Sequence, residues 1–430
     1  MGLQTKDQSS VNNEAKASVV VAQLGARMHY AVPEIFHNRR MLDHFYTDIY
    51  SSSSGIAWMQ TVPRRWRPEV ASRLLGRKPT GIPDAKISSF PWFGLRYGLR
   101  LQTAASKPDR VEAHLWAGKQ FNLHLIDAIG DRWDEINAVY TFNTAGLELL
   151  QAASSRNTVG VVEQTIAPSA YERELLRHEA DRYPEWEYVE TESDARLTKY
   201  AEREQAEWEA ADAILCGSTF VRDGIEACGG PAEKCVIVPY GVSPDTSDAS
   251  PRVSTHTPVR VLFVGALGLR KGAPYMLKLA RLFGEKATVR MVGSVQISDS
   301  AKRKLASVAD LAGRVPRSVV QDHYRWADVF VLPSICEGSA TVCYEALSHG
   351  LPVICTPNTG AIVRDGIDGY IVPTRSPQAI ASRIDLLTND DKLYENLSAS
   401  AFERARTFGS MEAYAERLTS TVKNLCNRKL

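Results

Sequence analysis

Two glutamates, Glu337 and Glu345, are separated by seven residues in the segment EGSATVCYE. Glu337 follows an apolar strand pattern over 329–333, and Glu345 falls about one and a half turns into a helix predicted over 340–348. The first N–H groups of such a helix lack intrahelical partners and form the positive end of its dipole, so they could hold a diphosphate without a metal. Glu345 could then accept hydrogen bonds from an attached ribose, and Glu337 from hydroxyls beyond the phosphates.

A second junction between strand and loop carries two cations. Residues 259–264 have the pattern of a buried strand, which runs through Gly265 into a loop that precedes a predicted helix. Arg270 and Lys271 project from that loop, and Gly272 lets the chain turn. A plain surface pair is the alternative interpretation, but the end of a domain's first strand is where parallel sheets bind ligands, which favours a binding role.

The order of these motifs resembles that of the retaining nucleotide-sugar glycosyltransferases of family 4, which have the GT-B fold. EGSATVCYE resembles their E-x7-E motif, and RVLFVGALGLRKG resembles their glycine, arginine and lysine element. The resemblance implies an α/β protein with two Rossmann-like domains facing a central cleft and a C-terminal helix that crosses back to the first domain. It also implies transfer of a sugar, with retention, from a nucleotide sugar to a hydroxyl of a glycan, lipid-linked or small-molecule acceptor.

The resemblance assigns a role to each motif residue. It implies that Glu337 contacts the donor sugar and Glu345 the ribose, while Arg270 and Lys271 hold the diphosphate. Glu337, Arg270 and Lys271 are therefore the expected catalytic residues. Many members have an arginine at the position of Ala266, and Arg270 is expected to supply that charge. The expected donor site combines strand-end glycines, loop residues and the start of the helix: Gly265, Arg270, Lys271, Gly293, Arg314, Val315, Glu337, Gly338, Ser339, Ala340, Thr341, Val342 and Glu345.

The acceptor side is expected at strand ends of the first domain. Arg27 and His29 lie in the loop after the strand pattern at 18–24, with a buried structural role as the alternative for His29. Members of the family commonly place a histidine after a later strand, and Gln164 stands there in this sequence, beside Glu163. Glu163 and Gln164 are therefore the remaining candidates for orienting donor or acceptor.

Length and pattern divide the chain into four parts. With 430 residues it is long enough for two or three domains. We expect a disordered tail over 1–16, an acceptor-binding Rossmann-like domain over 17–240, a nucleotide-sugar-binding Rossmann-like domain over 241–400, and a returning helix over 401–430.

Composition excludes several classes of protein. The net charge of +1 does not predict a nucleic-acid partner. Seven cysteines without a C-x-x-C pair favour reduced thiols in the cytoplasm. The N-terminus lacks the apolar region of a signal peptide, and no run of eighteen apolar residues predicts a transmembrane helix.

A basic stretch with interleaved aromatic residues covers positions 60–110. It contains 11 lysines and arginines against three acidic residues, a balance of +8, and includes Trp66, Phe90, Trp92, Phe93 and Tyr97. Such a composition suits an anionic membrane surface, an acceptor that carries phosphate, or a solvated surface over aromatic core residues. The first of these would place the protein at the inner face of a membrane.

An acidic stretch covers residues 163–212, with 15 acidic and six basic residues. Much of it pairs glutamate with arginine or lysine at a spacing of four residues, which is typical of a helix surface. The repeated E-x-E pattern is therefore expected to be a solvated helix rather than a metal site.

No D-x-D motif follows a strand, so no metal and no cofactor beyond the donor substrate are expected. Arg270, Lys271 and the helix N-terminus would then stabilise the leaving diphosphate. A front-face transfer fits best, in which the leaving phosphate takes the acceptor's proton. An NAD-dependent oxidoreductase is disfavoured because no G-x-G-x-x-G follows either first strand. A nucleotide-sugar epimerase of similar fold and a non-catalytic nucleotide-sugar binding protein remain as alternatives.

Overall fold

A computed structural model describes residues 17–52, 76–79, 81–186, 195–243 and 250–429. The predicted tail over 1–16 lies outside the described residues, as does most of the first third of the basic stretch at 60–110. Each remaining part of the chain can be compared with the sequence-based expectations.

The N-terminal half forms a seven-stranded sheet in the order β3-β2-β1-β4-β5-β6-β7. All of its strand pairs are parallel. Such strands read as continuous apolar runs because helices cover both faces of the sheet, and every residue of β1 is buried. The strands are β1 (Val19–Gln23), β2 (Leu42–Thr47), β3 (Ile87–Ser89), β4 (Ala138–Phe142), β5 (Val159–Gln164), β6 (Ala213–Cys216) and β7 (Cys235–Ile237).

The C-terminal half forms a six-stranded parallel sheet in the order β10-β9-β8-β11-β12-β13. The strand order reverses between β8 and β11, which are neighbours, so the loops that follow these two strands meet at one edge. The loop after β8 carries Arg270 and Lys271, and the loop after β11 carries Glu337. The strands are β8 (Val259–Val264), β9 (Ala287–Val292), β10 (Asp310–Gly313), β11 (Val329–Leu332), β12 (Val353–Cys355) and β13 (Gly369–Ile371).

Helices alternate with the strands, as parallel crossovers require. The helix predicted over 340–348 is observed as α11, one residue shorter at its start. The α-helices of the described residues are α1 (Ala31–Asn38), α2 (Pro91–Thr103), α3 (Lys107–Ile129), α4 (Leu147–Ser154), α5 (Ser169–Arg182), α6 (Ala195–Ala210), α7 (Thr219–Ala227), α8 (Ala273–Phe283), α9 (Asp299–Ala306), α10 (Arg317–Trp326), α11 (Thr341–Ser348), α12 (Pro377–Asn389), α13 (Asp391–Thr407) and α14 (Met411–Lys429).

Helix α14 returns to the N-terminal domain, which confirms the predicted crossing. The Lys429 Nζ atom lies 2.7 Å from Asp212 Oδ2. Nearer the start of α14, Arg417 donates to the backbone oxygen of Pro239, and the ring of Tyr414 packs edge-on against Tyr240. Two Rossmann-like domains with a returning helix are therefore both the predicted and the observed architecture.

Helix α5 crosses in the opposite direction. It follows β5 of the N-terminal sheet, yet its buried Glu179 accepts hydrogen bonds from Tyr275 Oη at 2.6 Å and Arg375 Nε at 2.5 Å, both in the C-terminal half. Just beyond α5, the backbone oxygen of Trp186 accepts from Ser298 N. The two domains are thus joined by a helix from each of them.

The expected solvated surface on the acidic stretch is wrong for two of the four glutamates of α6, whereas Glu202 and Glu209 are exposed as expected. Glu204 and Glu207 of this helix are buried. Glu207 accepts hydrogen bonds from the backbone N–H groups of Gly146 and Leu147, which lack intrahelical partners at the start of α4. Burial raises the pKa of Glu207 to about 7, against the lowering effect of Arg203. Glu207, and likewise Glu204 through Ser169 N at the start of α5, therefore serve as helix caps inside the domain.

Candidate functional site

Two cations and a carboxylate meet where the loops after β8 and β11 come together. Lys271 Nζ lies 2.6 Å from Glu337 Oε1, and Arg270 Nη1 lies 3.1 Å from the same oxygen. Lys271 and Glu337 are buried, and the Arg270 side chain is about one third exposed. The structure thus brings together the three expected catalytic residues, although Glu337 lies 66 positions after Lys271 in the chain.

Gly272 explains why these loops can approach so closely. Its φ of +75° is in the left-handed region, and a Cβ atom there would lie 2.1 Å from the Pro333 carbonyl oxygen. The loop after β8 is also hydrogen-bonded to the loop after β11, because Ile335 N donates to Arg270 O at 2.8 Å. Only glycine fits this position, which fixes the direction in which Arg270 and Lys271 leave the backbone.

The start of α11 forms the next wall of the site. Ala340 N donates to Thr359 O, so its N–H is occupied and the donors that could meet an anion begin at Thr341. Gly338 and Ser339 face the N-terminal domain instead. Gly338 O accepts from Ser218 Oγ at 2.5 Å, and the hydroxyls of Ser339 and Tyr344 share a hydrogen bond of 2.6 Å.

Glu345 lies one turn further along α11 and is held by a tyrosine. Tyr324 donates its hydroxyl to Glu345 Oε2 at 2.9 Å, and Arg317 Nη2 lies 3.8 Å from Oε1. Burial raises the pKa of Glu345, while the Tyr324 hydrogen bond and the Arg317 charge act in the opposite direction. One carboxylate oxygen is therefore fixed by the protein, and the other lies nearer the partly exposed guanidinium.

A pocket of about 370 Å³ opens beside the strand ends of β8 and β9. Gly265 and Gly293 form its floor, where their backbones are in contact: a Cβ on Gly293 would lie 1.9 Å from Gly265 O. Arg314 and Val315, also expected for the donor site, line the pocket together with Val264, Ala266, Val292, Ser294 and Val320. Its size and mixed lining suit a planar heterocycle.

Arg27 and His29 belong to the N-terminal domain, where they lie in the loop at the carboxyl end of β1. Arg27 Nη1 donates to Thr165 Oγ1 at 2.9 Å, in the loop after β5. Both Arg27 and His29 are exposed, which excludes the buried structural role for His29. Met28, His29 and Tyr30 all have positive φ, a strained conformation that the surrounding packing must maintain.

Glu163 and Gln164 do not reach this cleft, so their expected role next to a substrate is corrected. Glu163 is buried and accepts from the hydroxyls of Tyr140 and Tyr240. Gln164 is buried as well. Its side-chain amide donates a hydrogen bond to Glu204 and accepts one from the Trp208 indole N–H. The side chains of Glu163 and Gln164 thus find their hydrogen-bond partners inside the protein. The position of the family's usual histidine has therefore become part of the domain core.

One acidic residue that sequence reasoning missed lies close to Arg270. Glu172 lies in the first turn of α5, with Oε1 4.0 Å from Arg270 Nε. It was placed with the solvated acids because nothing in its spacing separates it from its neighbours. The contact depends on α5 reaching the second domain, which is a long-range property of the fold.

Two other kinds of feature are absent from the described parts of the chain. No group of three or more histidine, cysteine, aspartate or glutamate side chains there is arranged to hold a metal ion. No helix there is long and apolar enough to cross a membrane.

Comparison with known proteins supports a glycosyl-transfer domain. Residues 247–404 match the family model described as "Glycosyl transferases group 1". The chain is 29% identical over 234 residues to D-inositol 3-phosphate glycosyltransferase of Xylanimonas cellulosilytica, covering 49% of this chain and 56% of that protein. It is 26% identical over 172 residues to the amylovoran biosynthesis glycosyltransferase AmsK of Erwinia amylovora, covering 36% and 42% respectively. The matched segments thus span about half the length of these curated relatives.

Solved structures resemble the chain over nearly its whole length. Sucrose-phosphate synthase of Thermosynechococcus elongatus superposes with a TM-score of 0.66 at 15% identity, covering 96% of this chain and all of that one. Anabaena Alr3699/HepE in complex with UDP-glucose gives 0.57 at 12% identity, covering 95% and 99%. At these identities the similarity shows the fold, which is the two-domain GT-B architecture predicted from the sequence.

Proposed function

We propose that this chain is a retaining glycosyltransferase of the family 4 type, which transfers a sugar from a nucleoside diphosphate sugar to an acceptor hydroxyl. The observation that carries the proposal is the meeting of Arg270, Lys271 and Glu337 beside the start of α11. Two cations and a helix N-terminus suit a diphosphate, and a buried carboxylate next to them suits sugar hydroxyls.

The remaining donor groups have places around that centre. The base would occupy the 370 Å³ pocket lined by Gly293, Arg314 and Val315. Glu345, held by Tyr324, would accept hydrogen bonds from the ribose. Relatives of this fold solved with UDP or UDP-glucose support a nucleotide sugar as the donor class.

The proposed chemical step is a front-face transfer. The acceptor oxygen forms a bond to the anomeric carbon as the bond from that carbon to the diphosphate oxygen breaks on the same face. The acceptor's proton passes to the leaving diphosphate. Arg270, Lys271 and the N–H groups from Thr341 onward stabilise the charge that develops on the diphosphate, a task that needs no metal in this scheme.

The acceptor would lie against the N-terminal domain, where Arg27 and His29 are exposed. Its class is a glycan, a lipid-linked molecule or a small molecule, and the names of the curated relatives mention D-inositol 3-phosphate in one case and amylovoran biosynthesis in the other. An exposed guanidinium at this place would favour an acceptor that carries phosphate.

Helix α2 supports the further proposal that an anionic membrane surface is a partner. Trp92, Leu95 and Leu99 are 82%, 46% and 61% exposed, and their spacing puts them on one face of the helix. Arg96 and Arg100, also exposed, border that face. Apolar groups flanked by cations suit a headgroup boundary at the cytoplasmic face of a membrane.

Turnover of a panel of UDP-, GDP- and ADP-sugars tests the proposed function. Transfer to an added acceptor, with retained anomeric configuration by NMR and an initial rate unchanged by EDTA, is the expected result. A product formed without acceptor would instead indicate an epimerase. Binding without any turnover would indicate a non-catalytic binding protein, and rescue of EDTA-treated protein by Mg²⁺ or Mn²⁺ would contradict metal independence.

A further inference from the structure

Glu172 brings a carboxylate of the N-terminal domain to the candidate diphosphate site of the other domain. It lies on α5, with Oε1 4.0 Å from Arg270 Nε, while Nη1 of the same guanidinium lies 3.1 Å from Glu337 Oε1. Arg270 is therefore held between two carboxylates from different domains. The Glu172 side chain is only about one quarter exposed, so solvent screens this arrangement incompletely.

Burial and three neighbouring charged side chains act on the pKa of Glu172. Burial raises the pKa of Glu172, the cations of Arg270 and Lys107 oppose that rise, and the Glu337 carboxylate adds to it. Lys107 begins α3, so a third element contributes charge at this point. An anion that pairs with Arg270 and Lys271 would have to approach Glu172 as well.

Donor and product differ in charge at this place. In a nucleoside diphosphate sugar, each phosphate has one ester bond, to the nucleoside or to the sugar, shares the anhydride bridge with the other phosphate, and carries one negative charge. Once the sugar has left, the terminal phosphate gains a second ionisation with a pKa of about 6, so the product carries about one more negative charge near neutral pH. A fixed carboxylate repels the more highly charged species more strongly.

We propose that Glu172 is a positioning residue that orients Arg270 across the domain boundary and lowers the affinity of the site for the nucleoside diphosphate product more than for the nucleotide-sugar donor. This inference rests on the proposed function. It assigns to Glu172 a part in product release, because the negative charge that the diphosphate gains when the sugar leaves appears beside a carboxylate that repels it.

The test compares binding of product and donor in matched variants. UDP and UDP-glucose, or the GDP or ADP pair if the donor panel selects one, are titrated calorimetrically into wild type and Glu172→Gln at low ionic strength and without acceptor. The expected result for Glu172→Gln is roughly fivefold tighter UDP binding with a clearly smaller gain for UDP-glucose. Added salt should shrink this difference, because it screens the repulsion.

Glu174→Gln is the matched control, because Glu174 is an exposed acid on the same helix. It should leave both affinities unchanged, and Glu172→Asp should behave like wild type. Glu172→Ala, which also removes the charge, must show the same ratio between product and donor as Glu172→Gln, so a folding defect in one variant does not decide the outcome.

Three results would overturn the inference. UDP affinity in Glu172→Gln that equals or falls below that of wild type would show that Glu172 does not repel the product. An increase in acceptor KM with unchanged UDP affinity would make Glu172 an acceptor contact. A wild type that binds none of these diphosphates would overturn the proposed function itself, and this inference with it.

Discussion

At the scale of single residues, Lys271 and Arg270 both form an ion pair with the same oxygen of Glu337. An incoming diphosphate would therefore displace an existing ion pair rather than meet two unpaired cations. The carboxylate that it displaces is then available to accept hydrogen bonds from the sugar. In the proposed function, donor binding and the placement of Glu337 against the sugar would thus be coupled by one shared contact.

The first prediction concerns Lys271. Lys271→Ala should raise donor KM and lower kcat, because the diphosphate gains charge in the transition state and loses one charge-assisted contact. The expected loss in kcat/KM is on the order of 2–4 kcal/mol. Steady-state kinetics with the donor found in the panel measures it. Lys286→Ala, at an exposed lysine in the same domain, is the control, and equal kinetics in both variants would refute the site assignment.

The second prediction concerns the tyrosine that holds Glu345. Tyr324→Phe should weaken donor binding by about 1 kcal/mol, the typical contribution of one hydrogen bond. The Tyr324 hydroxyl opposes the burial that raises the pKa of Glu345, so its removal raises that pKa further. If the ionised carboxylate accepts from the ribose, donor affinity falls as pH is lowered through the pKa, and this fall should begin at a higher pH in the variant.

Donor titrations between pH 5 and 8 check the Tyr324 prediction, and they avoid the product, whose own phosphate titrates in this range. Tyr394→Phe is the control, because Tyr394 donates its hydroxyl to the Asp328 backbone elsewhere in the domain. Superimposable pH profiles of wild type and Tyr324→Phe would rule out Glu345 as the titrating group.

The family resemblance, read onto the residues at two strand ends, predicted Arg270, Lys271 and Glu337 as parts of one site, and the structure brings them together. The reason is topological: β8 and β11 are adjacent at the point where the strand order reverses, so their loops must meet. Glu172 could not be predicted in this way, because its contact depends on where α5 lies relative to the other domain. The 14 residues of α5 contain no sequence pattern that indicates where this helix lies relative to the C-terminal domain.

At the scale of elements, α6 shows how charge patterns mislead. Acids spaced for exposed ion pairs turned out to be acceptors for the N–H groups at the starts of α4 and α5, through Glu207 and Glu204. A helix start needs acceptors whether or not it is exposed, and a glutamate from a neighbouring helix can supply them. Composition alone does not distinguish such a cap from a solvated acid.

The third prediction concerns α2. Wild type should bind anionic vesicles, with weaker binding at high salt and none to neutral vesicles, because cations near the surface contribute roughly 1 kcal/mol each. Changing Trp92 and Leu99 together to serine should reduce binding without affecting donor affinity. Sedimentation with vesicles measures it, and Leu282→Ser, at an exposed leucine of α8, is the matched control. A wild type that ignores anionic vesicles at low salt would refute this membrane contact.

At the scale of the whole molecule, one apolar cluster of the described residues continues from the N-terminal domain into the C-terminal domain, while a second cluster lies within the N-terminal domain alone. The largest buried cluster runs from Ala17 and Val19 near the start of the chain, through the second sheet, to Cys426 in α14. Helix α5 adds buried polar contacts in the other direction. Separate unfolding of either domain would expose part of this common core.

The fourth prediction follows from this continuity. Heating should unfold the protein in a single cooperative transition, with the calorimetric enthalpy equal to the van't Hoff enthalpy. Donor should raise the midpoint of that one transition rather than split it. Differential scanning calorimetry measures both quantities. Two resolved transitions, only one of them shifted by donor, would show that the domains unfold independently.

The position of α5 also bears on how this protein could be recombined with its relatives. A chimaera joined in the linker after β7 would place Glu179 opposite a foreign second domain, and the buried carboxylate would lose Tyr275 and Arg375 unless both are matched there. An unpaired buried carboxylate costs several kcal/mol, so such a hybrid would be compromised by a helix that lies well before the joint. The unit that can be exchanged between relatives is therefore defined by contacts, and it includes a helix that the chain order assigns to the other half.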